Sequence, residues 1–251
     1  MELFLSWERL ILPYWLPSPD LIIMSSNRRD RNKRTSRRAP FREPKRRLLV
    51  VCEGKNTEPQ YINGLALFYR NTVLEITIPP ERGDPKKLVE LAKKNTEEAI
   101  SIARRNKDDN LKYDETWCIY DKDDHERFED ACRMARDNGF RLAISNPSFE
   151  LWLLLHFRES PGMQHRDKVK EILSKEVSGY DKKVDFRFYA DRLSEAGARA
   201  KRIHDAALRD GEKEFSNPYT SMFYLVGSML REIKEKEPFG NWVWLQQVLA
   251  E

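Results

Sequence analysis

The sequence predicts an α/β protein in which a sheet of four parallel strands is flanked by helices and followed by a helical extension. Short apolar runs alternate with amphipathic helical patterns up to residue 145, and the connections are long enough for right-handed crossovers. From residue 146 onwards only helical patterns occur. We therefore expect an arm over residues 1–46, a sheet domain over 47–145, and helices over 146–251 that pack on it.

Each predicted strand is an apolar run of the kind found in strands that are covered on both faces. These runs are RLLVVCE (47–53), VLEITI (73–78), TWCIY (116–120) and FRLAIS (140–145). Helical patterns lie between them at 58–70, 86–106 and 125–137. Thr57 is placed to cap the first of these helices, Gly139 suits the C′ position of the third, and Gly54 permits a sharp exit from the first strand.

The extension contains helical patterns at 148–158, 166–176, 188–210, 218–235 and 240–250. Two of them follow an asparagine and a proline, Asn146-Pro147 and Asn217-Pro218. An asparagine can cap a helix and proline suits the first helical position, so we expect both pairs to start helices.

Charge is distributed unevenly along the chain. Residues 27–47 contain eleven Lys and Arg against Asp30 and Glu43, a net charge of +9, which leaves −5 for the rest of a chain of net charge +4. Such a segment is attracted to polyanions or serves as a solubilising tail, and we favour contact with nucleic acid. The residues expected to make that contact are Arg28, Arg29, Arg31, Arg34, Arg37 and Arg38.

The composition argues against a membrane protein and against a disulfide framework. No run of 18 or more apolar residues occurs, and charged residues and prolines interrupt the apolar opening segment. Translation starting at Met24, with residues 1–23 untranslated, is an open alternative. The three cysteines, Cys52, Cys118 and Cys132, are far apart in apolar contexts, which indicates reduced thiols in a cytoplasmic protein.

Acidic residues follow two of the predicted strands. Glu53 closes the first strand, and Asp121 and Asp123 close the third. Ligands of open α/β sheets collect at the carboxyl ends of strands, so we expect these carboxylates to meet there. Their mutual repulsion would be relieved by a cation, and Mg²⁺ or Mn²⁺ prefers such hard oxygen ligands.

The order of three features resembles that of the Toprim domain of topoisomerases, primases and several nucleases. They are an apolar strand that ends in Glu-Gly, a helical spacer, and a strand that ends in Asp-x-Asp. That resemblance implies that Glu53 acts as general acid/base and that Asp121 and Asp123 hold magnesium. Some Toprim nucleases carry a second acidic residue four positions after the first, and here Glu58 stands five after Glu53. It is therefore included among the candidate metal ligands.

Four longer segments resemble the RloB-like family of Toprim-containing bacterial proteins. They are VVCEGKNTEPQYINGL (50–65), IYDKDDH (119–125), AISNPSFELWLLLHF (143–157) and NPYT (217–220), and the resemblance spans roughly residues 46–235. It implies a link to restriction or abortive-infection loci in phage defence, with an ATPase partner encoded nearby.

Further candidates flank the acidic residues. Asp124 can bind a second metal or cap the next helix, and Lys55 can touch a phosphate or be a polar loop residue. Glu150 lies among apolar residues and needs a partner, either a metal or a Lys or Arg, so we include it as a catalytic residue. His125 suits a helix start, and His156 suits a hydrogen-bonded core position.

Together these patterns predict a Mg²⁺-dependent nuclease that acts on DNA or RNA. The alternative is a catalytically silent nucleic-acid-binding module that targets or regulates an ATPase partner. Nucleotide phosphoryl chemistry, as in primases, is less favoured because the chain lacks a GxxxxGK[ST] loop.

Overall fold

The computed structural model describes residues 44–69, 74–122, 127–231 and 242–250. Within these ranges a central sheet has the strand order β2-β1-β3-β4-β5. The strands are β1 (Arg46–Cys52), β2 (Leu74–Thr77), β3 (Glu115–Asp121), β4 (Arg141–Asn146) and β5 (Tyr219–Thr220). β1 pairs in parallel with β2 and β3, β3 pairs in parallel with β4, and β5 runs antiparallel to β4. The chain is therefore a mixed α/β protein.

Helices cover both faces of this sheet. They are α1 (Thr57–Phe68), α2 (Pro85–Asn106), α3 (Phe128–Asp137), α4 (Glu150–Leu154), α5 (Arg166–Glu176), α6 (Arg187–Ala190), α7 (Leu193–Arg209), α8 (Met222–Leu230) and α9 (Val243–Ala250). A short 3₁₀ turn occupies Asp109–Leu111. The Asp84 side chain accepts from the Lys87 N–H at 3.1 Å, which caps α2 ahead of a proline at its first position.

Alternating side chains of β1 enter two different cores. Leu48, Val50 and Cys52 pack with α1 and with the helices that follow residue 146. Leu49 and Val51 face α2 and α3 on the other side of the sheet. A strand buried on both faces must be apolar throughout, which explains its uninterrupted apolar run.

The expectation of four strands, all parallel, is corrected by the fifth strand. β5 has two residues, and Thr220 pairs with Ser145 of β4. The Ser221 N–H extends the contact by donating to the Ile144 carbonyl at 2.9 Å. This two-residue strand forms because it can pair with the edge of β4. Two residues are too few to show a strand pattern in the sequence.

The two Asn-Pro pairs were wrongly expected to start helices. Both peptide bonds are cis, α4 begins only at Glu150, and β5 follows the second pair. The asparagine side chains instead tie distant segments together. Asn146 Nδ2 donates to the Phe215 carbonyl at 2.7 Å, and Asn217 Nδ2 donates to the Gln164 carbonyl at 2.8 Å.

Two residues counted with the basic arm belong to the sheet. Arg46 and Arg47 open β1, where Arg46 pairs with Glu115 at 3.2 Å and Arg47 pairs with Glu75 at 3.0 Å. Both partners lie on neighbouring strands, so these two arginines have structural ion pairs within the fold.

The three cysteines are free and buried, as the sequence predicted. None of the helices in the described ranges combines the length and apolar character that crossing a membrane requires.

Candidate metal and phosphate site

Glu53 and Asp121 lie side by side at the carboxyl edge of the sheet. The pairing of β1 with β3 continues past Cys52, because the Glu53 N–H donates to the Ile119 carbonyl at 3.0 Å. The Glu53 carboxylate then reaches across to the neighbouring strand, where its Oε2 accepts from the Asp121 N–H at 3.1 Å. Two segments distant in the chain thus bring their acidic ends to one place.

Glu58 joins this edge from the first turn of α1, where it is almost fully buried. Its Oε1 accepts from the Gly54 N–H at 3.0 Å. A Cβ atom at position 54 would lie 2.0 Å from Glu58 Oε2, so this close approach requires glycine there. The Arg82 Nε donates to the Gly54 carbonyl at 2.8 Å and holds the same loop from the other side.

Glu150 reaches the same region as the first residue of α4. Its carboxylate accepts hydrogen bonds from the hydroxyls of Ser148 at 2.7 Å and Tyr180 at 3.2 Å. The sequence suggested a metal or a Lys or Arg as its partner, whereas the structure gives it hydroxyl donors. They orient the carboxylate without adding positive charge.

A cavity of 570 Å³ brings these carboxylates together with basic side chains. We call Glu53, Glu58, Asp121 and Glu150 the acidic cluster, and all four line the cavity. Its basic lining residues are Lys55, Arg166, Lys170 and Lys182, and the exposed Asp167 also lines it. The Arg166 Nη2 lies 3.2 Å from Asp121 Oδ2, which joins α5 to the end of β3. Such a mixed lining suits a metal-bound phosphate.

Burial and mutual repulsion raise the pKa of Asp121 and of Glu58 in the acidic cluster. Burial is the largest cause that raises the pKa of Asp121 well above its usual range, and the charges of the other three carboxylates raise it further. Arg166 opposes that shift. The pKa of Glu58 is also raised, again mainly by burial. Added positive charge in the cavity would therefore stabilise the ionised cluster.

Several residues proposed from the sequence lie outside the described residues. They are Asp123, Asp124, His125 and the arginines of the basic arm. Among the residues that are described, no group of three or more Asp, Glu, His or Cys side chains is arranged to hold a metal ion. Lys55 is described, and it is exposed in the loop that lines the cavity.

A comparison with models of protein families shows to which family the chain belongs. The model of the RloB-like protein family matches residues 48–229, which includes the whole acidic cluster and α5. The chain belongs to the RloB-like family. No curated protein and no solved structure matches it.

Three cationic residues of this RloB-like site were not proposed from the sequence. Arg166 and Lys170 are four positions apart on α5, a spacing that puts them on one side of a helix. Lys182 follows Tyr180 in the loop before α6. The spacing on α5 was readable in the sequence, but the direction in which α5 faces depends on how it packs against α4.

Proposed function

We propose that this RloB-like protein is a metal-dependent nuclease that hydrolyses phosphodiester bonds of DNA or RNA. One observation supports this above all: four carboxylates from separate segments line a single cavity at the carboxyl edge of a parallel sheet. The order of the acidic residues along β1 and β3, like that of Toprim nucleases, adds to this support. The family resemblance further supports a role as the effector of bacterial phage defence beside an ATPase partner.

Mg²⁺ or Mn²⁺ is the ion that the acidic cluster would help to hold. The cluster's donors are carboxylate oxygens, which these ions prefer. Burial, and after it the neighbouring carboxylates, raise the pKa values of Asp121 and Glu58, so a bound cation would stabilise their ionised forms. Asp123 and Asp124 belong to this proposal as further ligands. When bound, the ion supplies positive charge that stabilises negative charge developing on the phosphate oxygens.

The protein's own residues then have separate tasks. Glu53, whose carboxylate is held by the Asp121 N–H, accepts the proton of the attacking water. Lys170 and Lys182 bind the phosphate oxygens of the substrate, because ammonium groups are strong donors to phosphate. Glu150 is held in a fixed direction by Ser148 and Tyr180, and so presents its oxygens at a constant position.

Replacing Asp121 by Asn tests this function. Single- and double-stranded DNA and RNA are incubated with the wild type and with Asp121→Asn, in Mg²⁺, in Mn²⁺ and in a chelator. Losing a metal-ligating charge removes several kcal/mol of transition-state stabilisation, so we expect cleavage to slow at least about 100-fold. Asp130→Asn is the control, because Asp130 is exposed on α3 and pairs only with Arg133 among the described residues.

Cleavage by the wild type that needs a divalent ion, is retained by Asp130→Asn and is lost in Asp121→Asn supports the proposal. If the wild type cuts none of the four polymers with either ion, or if Asp121→Asn cuts as fast as the wild type, the nuclease proposal is wrong.

A further inference from the structure

The first residue of α5 contacts the acidic cluster directly. The Arg166 Nη2 donates to Asp121 Oδ2 at 3.2 Å. The Asp121 side chain is only 14% exposed, whereas that of Arg166 is 42% exposed. A half-exposed cation from the extension is thus in contact with one of the mostly buried carboxylates at the carboxyl edge of the sheet.

A divalent cation and this guanidinium compete for the same oxygen. Mg²⁺ binds carboxylate oxygens at about 2.0–2.1 Å, so an ion on Asp121 Oδ2 would repel a guanidinium next to it. We propose that Arg166 is a resident counter-ion of Asp121, that a divalent ion displaces it, and that the released guanidinium binds a phosphate of the nucleic-acid substrate. This inference rests on the proposed function only in taking the cavity to bind a metal and nucleic acid.

The packing of α5 lets the Arg166 side chain move while its backbone stays in place. Val169 and Leu173, on the inner side of the helix, are fully buried. The Arg166 side chain, by contrast, extends along the cavity wall with its guanidinium half in solvent. A change of rotamer would therefore move the guanidinium away from Asp121 and towards a ligand in the cavity without moving the helix.

The surroundings of Arg166 favour a phosphate as that ligand. Lys170 lies one helical turn further along α5, and Lys182 lines the same cavity. Neither lysine forms an ion pair with any residue in the described part of the chain, so both remain available to an anion. The planar fork of an arginine matches two phosphate oxygens, which a lysine cannot do.

The metal half of the proposal is tested by titrating Mn²⁺ alone into the folded protein by calorimetry. Arg166→Ala removes the competitor and should bind Mn²⁺ about fivefold more tightly than the wild type. Arg166→Lys keeps the positive charge and should fall between the two. Lys168→Ala is the control, because Lys168 lies on the same helix but pairs with Glu171 at the surface, and it should leave the affinity unchanged.

The phosphate half is tested with the same four proteins and short fluorescent DNA and RNA oligonucleotides, followed by anisotropy in Ca²⁺. Arg166→Ala should weaken oligonucleotide binding about tenfold, since it removes a charge-assisted hydrogen bond to phosphate. Arg166→Lys should recover part of the loss, and Lys168→Ala should bind like the wild type. Circular dichroism confirms that each variant is folded.

The proposal is supported if Arg166→Ala binds Mn²⁺ more tightly than the wild type and binds the oligonucleotides more weakly. A purely structural role for Arg166 predicts that both affinities fall in Arg166→Ala. That result, or no change in either affinity, overturns the proposal. If the affinities move in opposite directions but the wild type cuts no nucleic acid, the nuclease proposal fails and this inference stands. If the wild type cuts nucleic acid but the two affinities change in the same direction, this inference fails and the nuclease proposal stands.

Discussion

His156 is fully buried, and both nitrogens of its ring are hydrogen-bonded. Nδ1 lies 3.0 Å from the Trp152 carbonyl oxygen, which can only accept, so Nδ1 carries the proton. Nε2 lies 3.1 Å from the Tyr61 hydroxyl, which donates to it. The interpretation of His156 as a hydrogen-bonded core histidine is confirmed, and burial lowers its pKa to about 3.

This lowered pKa predicts a loss of stability in acid. Between the value of about 6.5 expected for unfolded histidine and about 3 in the folded protein, only the unfolded chain binds the proton, so stability falls as pH falls. From pH 7 to pH 5 this one residue should cost about 2 kcal/mol of unfolding free energy. Denaturant unfolding at both pH values should show His156→Gln with a pH dependence smaller by that amount.

Tyr61→Phe is the matched control for this measurement. It removes the hydroxyl that donates to His156 but leaves the ring buried, so it should lower stability at both pH values and keep the pH dependence. An unchanged pH dependence in His156→Gln would contradict the assignment of the acid sensitivity to this histidine.

The sequence was sufficient to place a residue at the edge of the sheet where that residue follows the end of a strand. Glu53 and Asp121 could be placed at one edge because parallel strands end at the same edge. Arg166 and Lys182 could not be placed, because their approach to the cavity depends on the packing of α5 and on the loop after Tyr180. The Thr57 cap was also wrong: Thr57 is the first residue of α1, and its hydroxyl lies 3.5 Å from the Lys182 carbonyl oxygen.

At the scale of elements, α9 packs closely against α7 at Gly197. A Cβ atom at Gly197 would lie 2.2 Å from Cε2 of Trp244, which is 3% exposed. The glycine therefore allows the indole ring to lie directly against the backbone of α7. Trp242 is partly buried against the same core, and its ring stacks on that of Trp244 with the centroids 6.0 Å apart.

Gly197→Ala should destabilise the protein although alanine is the better helix former. Alanine gains about 1 kcal/mol of helix propensity, but the clash with Trp244 forces the ring or the whole of α9 to move, and overpacking of this kind costs about 1–3 kcal/mol. We expect a lower Tm and a shift of tryptophan fluorescence to longer wavelength as Trp244 becomes exposed.

A double-mutant cycle isolates the contact. Trp244→Ala removes the ring and should itself cost about 3–5 kcal/mol. In the double variant the methyl group introduced at position 197 meets no indole, so the stability of that variant should equal or exceed that of Trp244→Ala alone. Simple additivity of the two changes would show that Gly197 does not act through Trp244.

Elements with a long periodic pattern were predicted well, and those defined by tertiary contacts were not. The helix expected at 86–106 is Pro85–Asn106, and Gly139 follows α3 with a φ of +71°, as its C′ position requires. The helix expected at 188–210 is divided into α6 and α7, and the one expected from 218 begins only at Met222, after β5. These boundaries follow from the pairing of β5 with β4 and from packing, which periodicity does not record.

For the whole molecule, the basic and the acidic residues are concentrated in different parts of the chain. The basic residues of 27–43 precede β1 and lie outside the described residues, whereas the acidic cluster is at the carboxyl edge of the sheet. β1 spans seven residues, about 23 Å at the usual rise per strand residue, so its amino end is far from the carboxyl edge of the sheet. We propose that the arm binds nucleic acid and that the cavity cleaves it.

Deleting residues 27–43 tests this assignment. It removes eight basic residues but keeps Arg46 and Arg47 with their ion pairs to Glu115 and Glu75. Each lost phosphate contact reduces the slope of log affinity against log salt by about 0.7–0.9, so both the affinity for nucleic acid and its salt dependence should fall while the Mn²⁺ affinity stays the same.

Full-length Asp130→Asn is the matched control, because Asp130 is exposed on α3 and does not line the cavity, so it should keep the affinity and salt slope of the wild type. If the deletion variant keeps the wild-type affinity and slope, the arm does not bind nucleic acid. If instead the deletion abolishes biological function while Asp121→Asn retains it, the protein works as a catalytically silent binding module. A nuclease depends on the charge of Asp121, whereas a module that only delivers a partner does not.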